Sequence, residues 1–461
     1  MTARRPLRVA IVGAGPAGLY AAGHLIGGAG GVYVAGRLVD LHHEHVEVDL
    51  LERLPTLGGL VRAGVAPDHP EKKLVTDVFD AITARRGFRF FGNVEVGRDV
   101  HPHELAVWYD AVIYAVGADG DVRLQIPGED LAGSHSAREF VGWYNGHPDQ
   151  TEMRFDFSGE RAIIVGNGNV ALDIARILTL GDAELRRTDI ADHALEALRH
   201  SAIREVVVLG RRGPAQGAFN NPELEELGYL DGVDLVVDGG DDADLPGADP
   251  STARKLATLG HYSRRAQTGA DKRIVLRFLA SPVALHGDGR VESVAVVRNE
   301  LITDRDGAQH ARSTDDITML SAGLVLRAAG YRGTEVKGLP FDARSGTIPH
   351  RDGRVTGCPG AYVTGWIKRG PRGIIGTNKK CARDTVRALL DDHAAGVLCT
   401  EATLTAEGVA AEFTRRQPQL VTIDGWKAID RHERRAGRAA DRPRVKLTRR
   451  EDLLELVRRT N

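Results

Sequence analysis

The first apolar run of the chain, Leu7–Val12, ends at a glycine-rich turn, Gly13–Gly18, and a helix-compatible stretch follows from Leu19 to Ile26. A β-branched and aliphatic run before such a turn predicts a buried strand. The order strand, tight turn, helix is that of a dinucleotide-binding unit. A glycine pattern alone is weak evidence, but here it lies in the structural context that phosphate binding requires.

The same order recurs further along the chain, with Arg161–Val165 as the predicted strand, Gly166–Ala171 as the turn and Leu172–Leu178 as the helix. Two such units predict two nucleotide sites. Strands interleaved with helical stretches are typical of parallel sheets, so the pattern predicts an α/β protein with two Rossmann-like dinucleotide-binding domains. Other short apolar runs predict further strands at Val46–Leu51, Ala111–Val116, Glu205–Leu209, Arg273–Phe278, Val291–Arg298, Leu324–Ala328 and Ala361–Thr364.

Composition narrows the function classes. The chain has 461 residues, of which 42% are apolar, enough for a hydrophobic core in each of two domains. Its 61 Lys and Arg against 63 Asp and Glu leave a net charge of −2, which gives no overall attraction to nucleic acid or anionic membrane. The uncharged stretch Val9–Gly36 could pass for a signal peptide or a membrane span, but its nine glycines favour a strand and a phosphate loop. No transmembrane segment is expected.

Cysteine spacing excludes two kinds of redox centre. Cys358, Cys381 and Cys399 form no CxxC pair and no cluster of metal-ligand spacing. We therefore expect no metal site, no cysteine-ligated iron–sulfur cluster and no redox dithiol on this chain. Electrons must then pass through an organic cofactor, and unpaired thiols favour a reducing cytoplasm.

Two charged segments carry no predicted chemistry. The acidic stretch Asp238–Asp249 is interpreted as a solvated loop. The C-terminal segment Arg431–Asn461 holds 11 basic and 5 acidic residues, a local charge of +6. Within it, Arg450–Arg459 favours a packed helix over a nucleic-acid-binding arm.

Each glycine of the first turn has a separate task. Gly13 permits the turn, Gly15 lets backbone approach a pyrophosphate and Gly18 lets the helix pack closely, so that phosphate lies at the positive end of the helix. Glu52 ends the next apolar strand, where a carboxylate accepts from a ribose hydroxyl. It lies 34 residues beyond Gly18 rather than the usual ~20, so Gly27–His45 is expected to loop out. The alternative is a glycine-rich turn without a ligand.

In the second unit, Arg211 and Arg212 follow the predicted strand Glu205–Leu209. A carboxylate at that strand end favours the free ribose of NAD, whereas guanidinium groups suit a 2′-phosphate. The position therefore favours NADP over NAD. The alternative is a solvated surface pair.

Two further loops carry candidate cofactor contacts. Gly59–Pro70 contains two prolines and is predicted to be a rigid loop rather than a regular helix, with His69 held by its neighbours. Gly373–Asn378 is predicted to open a helix, Lys379–Leu390, whose amino end could face an electron-rich ring. Trp366 is either core packing or a stacking platform.

A series of ordered motifs runs along the chain: AIVGAGPAGLYAA, LERLPTLGGLVRAGVAPDHP, FRFFGNVEVG, YDAVIYAVGA, IPGEDLAG, EFVGWYNGHP, GNGNVALDIARIL, RTDIADHALEAL, GRRGPAQGAF, RFLASPV, RNEL, GYRG, LPFD, GTIP and GWIKRGPRGIIGTNKK. Together these motifs closely resemble adrenodoxin reductase and its bacterial ferredoxin–NADP reductase relatives. The resemblance runs from about Leu7 to Leu390, and the basic tail also resembles that of bacterial members.

The resemblance implies a glutathione-reductase-like fold in which an FAD domain is interrupted by an inserted NADP domain. The FAD domain would comprise residues 1–118 and 339–461, with a basic extension from about 396, and the NADP domain residues 119–338. The cofactor contacts that it implies for FAD are Gly13, Ala14, Gly15, Pro16, Ala17, Gly18, Glu52, Leu60, Trp366, Gly373, Ile374 and Ile375, with Val96 as a further cofactor contact. Those for NADP are Arg123, Asn167, Gly168, Asn169, Val170, Arg211, Arg212 and Glu223, with Gly373 as a further contact.

Two residues are implied in catalysis. In this family, the positions of His69 and Glu226 are linked to proton handling near the flavin. The alternatives are a histidine that only locks its loop and a glutamate that only belongs to the amphipathic turn Pro222–Leu227. Hydride transfer depends on alignment more than on acid–base work, so substitution of either residue should lower the rate without abolishing it.

The chain departs from the family at Leu57, Ala63 and Asn220, where Pro, Ser or Tyr, and Thr are usual. The change at Ala63 lies beside the predicted flavin loop and puts local flavin contacts in question. None of the three lies in a phosphate turn.

The implied activity is that of a ferredoxin–NADP(+) reductase, with FAD and NADP as cofactors and ferredoxin or a similar small iron–sulfur protein as partner. Since ferredoxins are generally acidic, we expect a basic docking patch at Arg254, Lys255, Arg264 and Arg265, which correspond to the family's docking region; the alternative is a solvated face.

Two other functions are less favoured. An NADPH-oxidising module of a larger enzyme, like the glutamate synthase small subunit, carries a cysteine-rich cluster domain that this sequence lacks. A nucleotide sensor or scaffold is disfavoured by two intact phosphate turns.

Overall fold

Contacts divide the protein into two compact units. The structure, a computed structural model, describes residues 5–27, 32–34, 37–39, 46–239, 247–398 and 402–460, with backbone alone for 32–34 and 37–39. The first unit comprises residues 1–65, 69–120 and 331–461, and the second comprises 66–68 and 121–330. The domain boundaries predicted after residues 118 and 338 stay predictions; the contacts divide the chain after residues 120 and 330 and also assign residues 66–68 to the second unit.

Strands supply the layers on which both units are built. In chain order they are β1 (Leu7–Val12), β2 (Val32–Val34), β3 (Arg37–Val39), β4 (Val46–Glu52), β5 (Phe88–Gly92), β6 (Ala111–Tyr114), β7 (Gly120–Asp121), β8 (Ser134–Ser136), β9 (Arg161–Val165), β10 (Glu205–Leu209), β11 (Val233–Asp238), β12 (Lys272–Arg277), β13 (Ala280–His286), β14 (Ser293–Thr303), β15 (Gln309–Ser321), β16 (Leu324–Arg327), β17 (Tyr331–Arg332), β18 (His350–Arg351), β19 (Arg354–Val355) and β20 (Ala361–Val363).

Helices connect and cover these strands. In chain order they are α1 (Pro16–Leu25), α2 (Leu60–Ala63), α3 (Val75–Thr83), α4 (Pro102–Trp108), α5 (Ala137–Tyr144), α6 (Asn169–Thr179), α7 (Asp182–Leu185), α8 (Asp192–Arg199), α9 (Asn221–Glu226), α10 (Pro250–Arg264), α11 (Trp366–Arg369), α12 (Ile375–Ala394), α13 (Ala406–Arg416), α14 (Ile423–Ala439) and α15 (Arg450–Thr460).

The first unit is built on a seven-stranded sheet in the order β18-β19-β20-β6-β1-β4-β5. All six residues of β1 are buried, as expected of a continuous aliphatic run in the middle of a sheet. Strand β1 pairs in parallel with both β4 and β6. Because parallel strands end at the same edge, the turn after β1 and the acidic residue at the end of β4 lie side by side.

The second unit is built on a six-stranded sheet in the order β11-β12-β10-β9-β16-β8. Strand β9 pairs in parallel with β10 and with β16. Gly166 follows the last residue of β9, and its N–H donates to the Leu209 carbonyl at 2.9 Å. The second glycine-rich turn therefore lies beside the end of β10, where Arg211 and Arg212 follow.

An antiparallel sheet of β13, β14 and β15 was not predicted. The predicted strand Val291–Arg298 is shifted, since β14 runs from Ser293 to Thr303. Its partner β15 is largely exposed and carries the polar segment Ser313–Asp316. The pattern of apolar runs missed this strand because most of it faces solvent on both sides.

One predicted loop contains a single helical turn, and one predicted helix start is wrong. Within Gly59–Pro70, which was predicted to lack a regular helix, Leu60–Ala63 forms the one-turn helix α2 between two glycines. The prolines lie beyond that turn, so they do not interrupt it. Helix α12 begins at Ile375, four residues before the predicted Lys379.

Several sequence predictions concern segments that are only partly described. Within Gly27–His45, β2 and β3 form an antiparallel hairpin, and residues 28–31, 35–36 and 40–45 lie outside the described residues. So do residues 240–246 of the acidic stretch, and Cys399. The packed helix predicted at Arg450–Arg459 is confirmed as α15. Among the described residues, no helix combines the length and the apolar character needed to cross a membrane.

Candidate functional site

In the first glycine-rich turn, Gly13 and Gly18 pack closely against protein atoms, whereas Gly15 has open space beside it. Gly13 has a φ of +107°, and a Cβ there would lie 2.5 Å from the Ala115 carbonyl oxygen. A Cβ at Gly18 would lie 2.0 Å from the Gly13 carbonyl oxygen, whereas one at Gly15 would meet nothing within 4 Å. Helix α1 begins directly at Pro16, the first-turn position that proline suits. The turn therefore leaves room for a ligand at Gly15, beside the amino end of α1.

Glu52 faces this turn. Its Oε2 accepts from the Ala14 N–H at 2.8 Å, and its Oε1 accepts from the Leu54 N–H at 3.0 Å. Burial raises the pKa of Glu52 above its ordinary value, although these two N–H donors oppose the rise. Each carboxylate oxygen has a second lone pair, so the group retains the capacity to accept from a sugar hydroxyl.

The segment after Glu52 returns to the same turn. The Gly58 N–H donates to the Ala14 carbonyl at 3.0 Å. A Cβ at Gly59 would lie 2.8 Å from the Gly15 Cα. This close approach places Leu60, which is 37% exposed, beside the turn. Val96 is half-buried and lies in an isolated bridge with Val100.

A tight turn also places Trp366 near this site. Gly365 has a φ of +77°, and a Cβ there would lie 2.6 Å from the Cβ of Ala17 in the first turn of α1. The Trp366 ring stacks on Tyr331 with a centroid distance of 5.5 Å. Its indole Nε1 is buried with no acceptor among the residues that the structure describes. A buried donor of this kind fits a site completed by a ligand.

The loop before α12 is shaped by a second glycine with positive φ. Gly373 has a φ of +84°, and a Cβ there would lie 2.7 Å from the Thr377 hydroxyl. That hydroxyl accepts from the Ile374 N–H at 3.2 Å. Helix α12 then begins at Ile375, so Gly373–Ile375 form its amino end.

The second glycine-rich turn, in the second unit, has the same arrangement of close and open positions as the first. Gly166 has a φ of +117°, and a Cβ there would lie 2.4 Å from the Ala328 carbonyl oxygen, while one at Gly168 would meet nothing within 4 Å. Helix α6 begins at Asn169, whose Oδ1 accepts from the Asn220 N–H at 2.8 Å. Asn167 precedes the open position and Val170, half-buried, follows it in the first turn of α6.

Arg211 and Arg212 follow β10 beside this turn. Their main chain is held in place, because the Arg211 carbonyl accepts from Asn299 Nδ2 at 2.8 Å and the Arg212 carbonyl accepts from the Leu279 N–H at 3.1 Å. The Arg211 side chain is exposed and that of Arg212 is half-buried. Neither guanidinium forms an ion pair with any residue in the described ranges. A fixed backbone with two available cations suits a phosphate ligand.

Two other predicted NADP contacts lie in the second unit. Glu223 is buried in α9, with 9% of its surface exposed. Arg123 is half-exposed, and its guanidinium pairs with Asp130 at 2.5 Å and approaches Glu129 to 3.6 Å. A ligand at Arg123 would have to compete with these carboxylates.

His69 is 6% exposed and contacts Lys72 through its Nδ1, at 2.8 Å from Nζ. An ammonium group only donates, so this nitrogen accepts the hydrogen bond and the proton of the neutral ring lies on Nε2. The contact thus selects one tautomer of His69.

Arg176 is a buried hub that the sequence pattern missed. It donates to the Asp68 carboxylate at 2.7 and 3.1 Å and to Asp173 at 2.8 Å, and its Nη1 lies 3.4 Å from Glu226. Burial opposes its charge, but Asp68 and Asp173 outweigh it and raise the pKa of Arg176. The arginine therefore forms hydrogen bonds with Asp68, the residue before His69, and lies within ion-pair distance of Glu226. One signal was present, a single cation within the apolar helix Leu172–Leu178.

Three of the four cations predicted for docking already contact other groups of the second unit. Arg254 donates to both carboxylate oxygens of Glu225 at 2.6 Å. Lys255 donates to the Gly217 carbonyl, and burial lowers its pKa. Arg265 donates to the Gly228 carbonyl at 3.2 Å, and Arg264 faces solvent.

Comparison with known proteins identifies the family. A family model described as pyridine nucleotide-disulphide oxidoreductase matches residues 7–209. The NADPH-ferredoxin reductase FprA of Mycobacterium tuberculosis is 49% identical, over 98% of this chain and 99% of its own length. The chain belongs to the adrenodoxin-reductase-type ferredoxin–NADP reductase family.

Other members of this ferredoxin–NADP reductase family are also similar to this chain over nearly its full length. The mitochondrial NADPH:adrenodoxin oxidoreductase of Arabidopsis thaliana is 40% identical over 98% of this chain and 95% of its own length. The solved structure of M. tuberculosis FprA in complex with NADPH superimposes with a TM-score of 0.91, at 47% identity, over 98% of this chain and 100% of that chain. The predicted family and the α/β, glutathione-reductase-like fold class are confirmed.

Proposed function

We propose that this chain is an FAD-dependent ferredoxin–NADP(+) oxidoreductase that takes a hydride from NADPH and delivers electrons to ferredoxin or a similar small iron–sulfur protein. The observation that carries the proposal is the pair of glycine-rich turns, one in each unit, each open at its middle glycine and each followed by a helix amino end. The near full-length likeness to an NADPH-ferredoxin reductase supports the same reaction.

The first unit would hold FAD. Gly15 and the amino end of α1 receive the pyrophosphate, and Glu52 accepts from the ribose. Trp366, with its buried indole N–H, follows Gly365, which approaches Ala17 of the turn. Helix α12, whose amino end follows Gly373, packs against α1. When bound, FAD supplies an acceptor of two electrons that can be given up one at a time.

The second unit would hold NADP. Gly168 and the amino end of α6 receive the pyrophosphate, and Arg211 and Arg212 bind the 2′-phosphate. Asn167, Asn169 and Val170 line the same turn, with Glu223 and Arg123 as outer contacts. The two arginines make NADPH the preferred nucleotide over NADH.

His69 and Glu226 are proposed to handle protons near the reacting rings. The Lys72 contact leaves the exchangeable proton of neutral His69 on Nε2. Arg176 Nη1 lies 3.4 Å from the Glu226 carboxylate. Each of the two residues therefore lies beside a cation, and a charge beside a titratable group influences its readiness to take up or release a proton.

The partner is proposed to be an acidic iron–sulfur protein that docks on exposed cations, with no role for nucleic acid. Arg264 is available for such a contact, whereas Arg254 would have to leave Glu225. The free thiols of Cys358 and Cys381 support a reducing compartment, and we place the protein in the cytoplasm.

The decisive experiment begins with the absorption spectrum of the purified protein. We expect bound flavin whose absorption bleaches when NADPH is added without oxygen, and far less with NADH. Reduction of cytochrome c by NADPH should then require added ferredoxin, and raised salt should slow it while leaving reduction of a neutral dye nearly unchanged. A protein without flavin, or one that NADPH does not bleach, would refute the proposal. Bleaching without transfer to any ferredoxin would favour an electron-donor module instead.

A further inference from the structure

The C-terminal extension, residues 402–460 of the described chain, packs on the segment that follows Glu52. That segment, residues 53–62, carries Leu60 and will be called the 53–62 segment. Both lie in the first unit. The extension holds the 53–62 segment at its two ends, through Arg62 and through the main chain of Arg53.

At the far end of the 53–62 segment, Arg62 inserts into a buried site on the extension. The two terminal nitrogens of its guanidinium donate to the two carboxylate oxygens of Glu433 at 2.7 and 2.6 Å. The Glu433 side chain is fully buried and also accepts from Arg444 Nη1 at 2.8 Å and from the Leu447 N–H at 2.9 Å. The Arg62 guanidinium further lies 5.6 Å from the centre of the Trp426 ring.

This buried carboxylate is held in its charged form. Burial opposes ionisation of Glu433, but the guanidinium groups of Arg62 and Arg444 and the Leu447 N–H outweigh it and lower the pKa. A two-pronged arginine–carboxylate pair fixes both distance and orientation, which an apolar contact of the same size does not. The pair joins positions that are 371 residues apart in the sequence.

At the near end, the extension contacts the main chain directly after Glu52. Arg450, the first residue of α15, donates to the Arg53 carbonyl at 2.8 Å and to Asn93 Oδ1 at 2.8 Å. Asn93 in turn donates from its main-chain N–H to the Leu54 carbonyl at 3.1 Å. Both ends of the 53–62 segment are therefore anchored by arginine contacts that involve the extension.

The anchored segment is the one that packs against the first glycine-rich turn. Its Gly58 N–H donates to the Ala14 carbonyl at 3.0 Å, and Gly59 approaches Gly15 so closely that a Cβ would lie 2.8 Å from its Cα. A shift of the 53–62 segment would therefore move the wall of the turn and the Leu54 N–H that donates to Glu52.

We propose that the C-terminal extension is a positioning element for the FAD site, in which Glu433 acts through Arg62, and Arg450 through the Arg53 carbonyl, to hold the 53–62 segment against the phosphate turn. The inference rests on the proposed function, because it takes the ligand of that turn to be FAD. Glu433, Arg62 and Arg450 are positioning residues, since none of them lies in the turn.

The test is the dissociation constant of FAD, measured on the full chain well below its melting temperature. Glu433→Gln keeps the size of the side chain but leaves the buried Arg62 charge without its counter-charge, so we expect roughly tenfold or greater weakening of FAD binding. Glu455→Gln is the matched control, because Glu455 lies in the same extension and pairs with Arg458 and Arg459 at the surface. Its FAD affinity should stay within about twofold of wild type.

A double variant separates positioning from mere stability. Replacing Glu433 and Arg62 together by methionine removes the charged pair, while Arg444, which also contacts Glu433, keeps Asp430 as its partner at 2.7 Å. The melting temperature should therefore recover towards that of wild type. FAD binding should remain weak if the pair serves to position the segment. FAD binding within twofold of wild type in Glu433→Gln, or its full recovery in the double variant, would overturn the inference.

Two further measurements keep the result unambiguous. If Glu433→Gln does not give folded protein, Arg62→Lys keeps the charge but loses the two-pronged contact, and its FAD dissociation constant answers the same question. NADP(+) binding by each variant, which uses the second unit, should be unchanged. A wild-type protein that binds no FAD would refute the proposed function, whereas wild-type FAD binding with unaffected variants would refute only this inference.

Discussion

Gly18→Ala should destabilise the first unit and weaken FAD binding. The added Cβ would lie 2.0 Å from the Gly13 carbonyl oxygen and 3.3 Å from Cγ2 of Ile11. The carbonyl belongs to the backbone of the turn itself, so relief requires α1 to move away from β1. Forcing an extra carbon into a packed site costs about 1–3 kcal/mol. At about 2–4 °C per kcal/mol, the melting temperature should fall by roughly 2–12 °C.

The second turn provides the control for this substitution. Gly168 has a φ of −88° and open space around it, so Gly168→Ala fits the fold, and its melting temperature should stay within about 1 °C of wild type. It should instead raise the KM for NADPH, because the new methyl group occupies the space left for a phosphate. Thermal melts, bound flavin per chain and NADPH kinetics distinguish the two variants. Wild-type stability and flavin content in Gly18→Ala would refute the close-packing argument.

Three further outcomes follow from the contacts. Replacing Arg211 and Arg212 by alanine should raise the KM for NADPH by roughly 10–100-fold and leave that for NADH unchanged; equal effects on both nucleotides would exclude a 2′-phosphate contact. Lys72→Met removes the donor to the histidine ring, so it should slow flavin reduction severalfold and shift its pH profile at unchanged flavin content; an unaltered profile in stopped-flow experiments would argue against a proton role. The Arg416 guanidinium, at the end of α13, lowers the pKa of Glu104 to about 2. The contribution of Glu104 to the free energy of unfolding is therefore present above about pH 4.5 and is lost as the pH falls towards about 2. The melting-temperature gap between wild type and Glu104→Gln should accordingly narrow between about pH 5 and about pH 3, and a gap that widens would contradict the sign.

Features that depend on consecutive residues could be predicted from the sequence. The turns at Gly13 and Gly166 have φ angles of +107° and +117°, and this backbone conformation favours glycine through local geometry alone. The strands that are buried on both faces, such as Leu7–Val12, are continuous apolar runs for the same local reason. The sequence therefore indicated both nucleotide turns and the fold class.

Features that depend on distant pairs could not be predicted in this way. Arg176 and its partner Asp68 are 108 positions apart in the sequence, and Glu433 and its partner Arg62 are 371 positions apart. A lone cation in an apolar helix, such as Arg176, signals burial at most, and the residues beside it in the sequence do not indicate which distant carboxylate it pairs with. The positioning contacts of the site became visible only when the fold brought the partners together.

Internal ion pairs also limit what net charge reveals about a protein partner. The C-terminal segment with a charge of +6 looks in sequence like a basic surface, yet Arg444 is buried against Glu433 and Arg450 is engaged with main-chain and amide oxygens. In the predicted docking patch, Arg254 is already paired with Glu225. A cation attracts an acidic carrier only with the charge that internal pairs leave unneutralised. The salt dependence of ferredoxin reduction should therefore reflect exposed cations such as Arg264, and be weaker than a count of basic residues in the sequence would suggest.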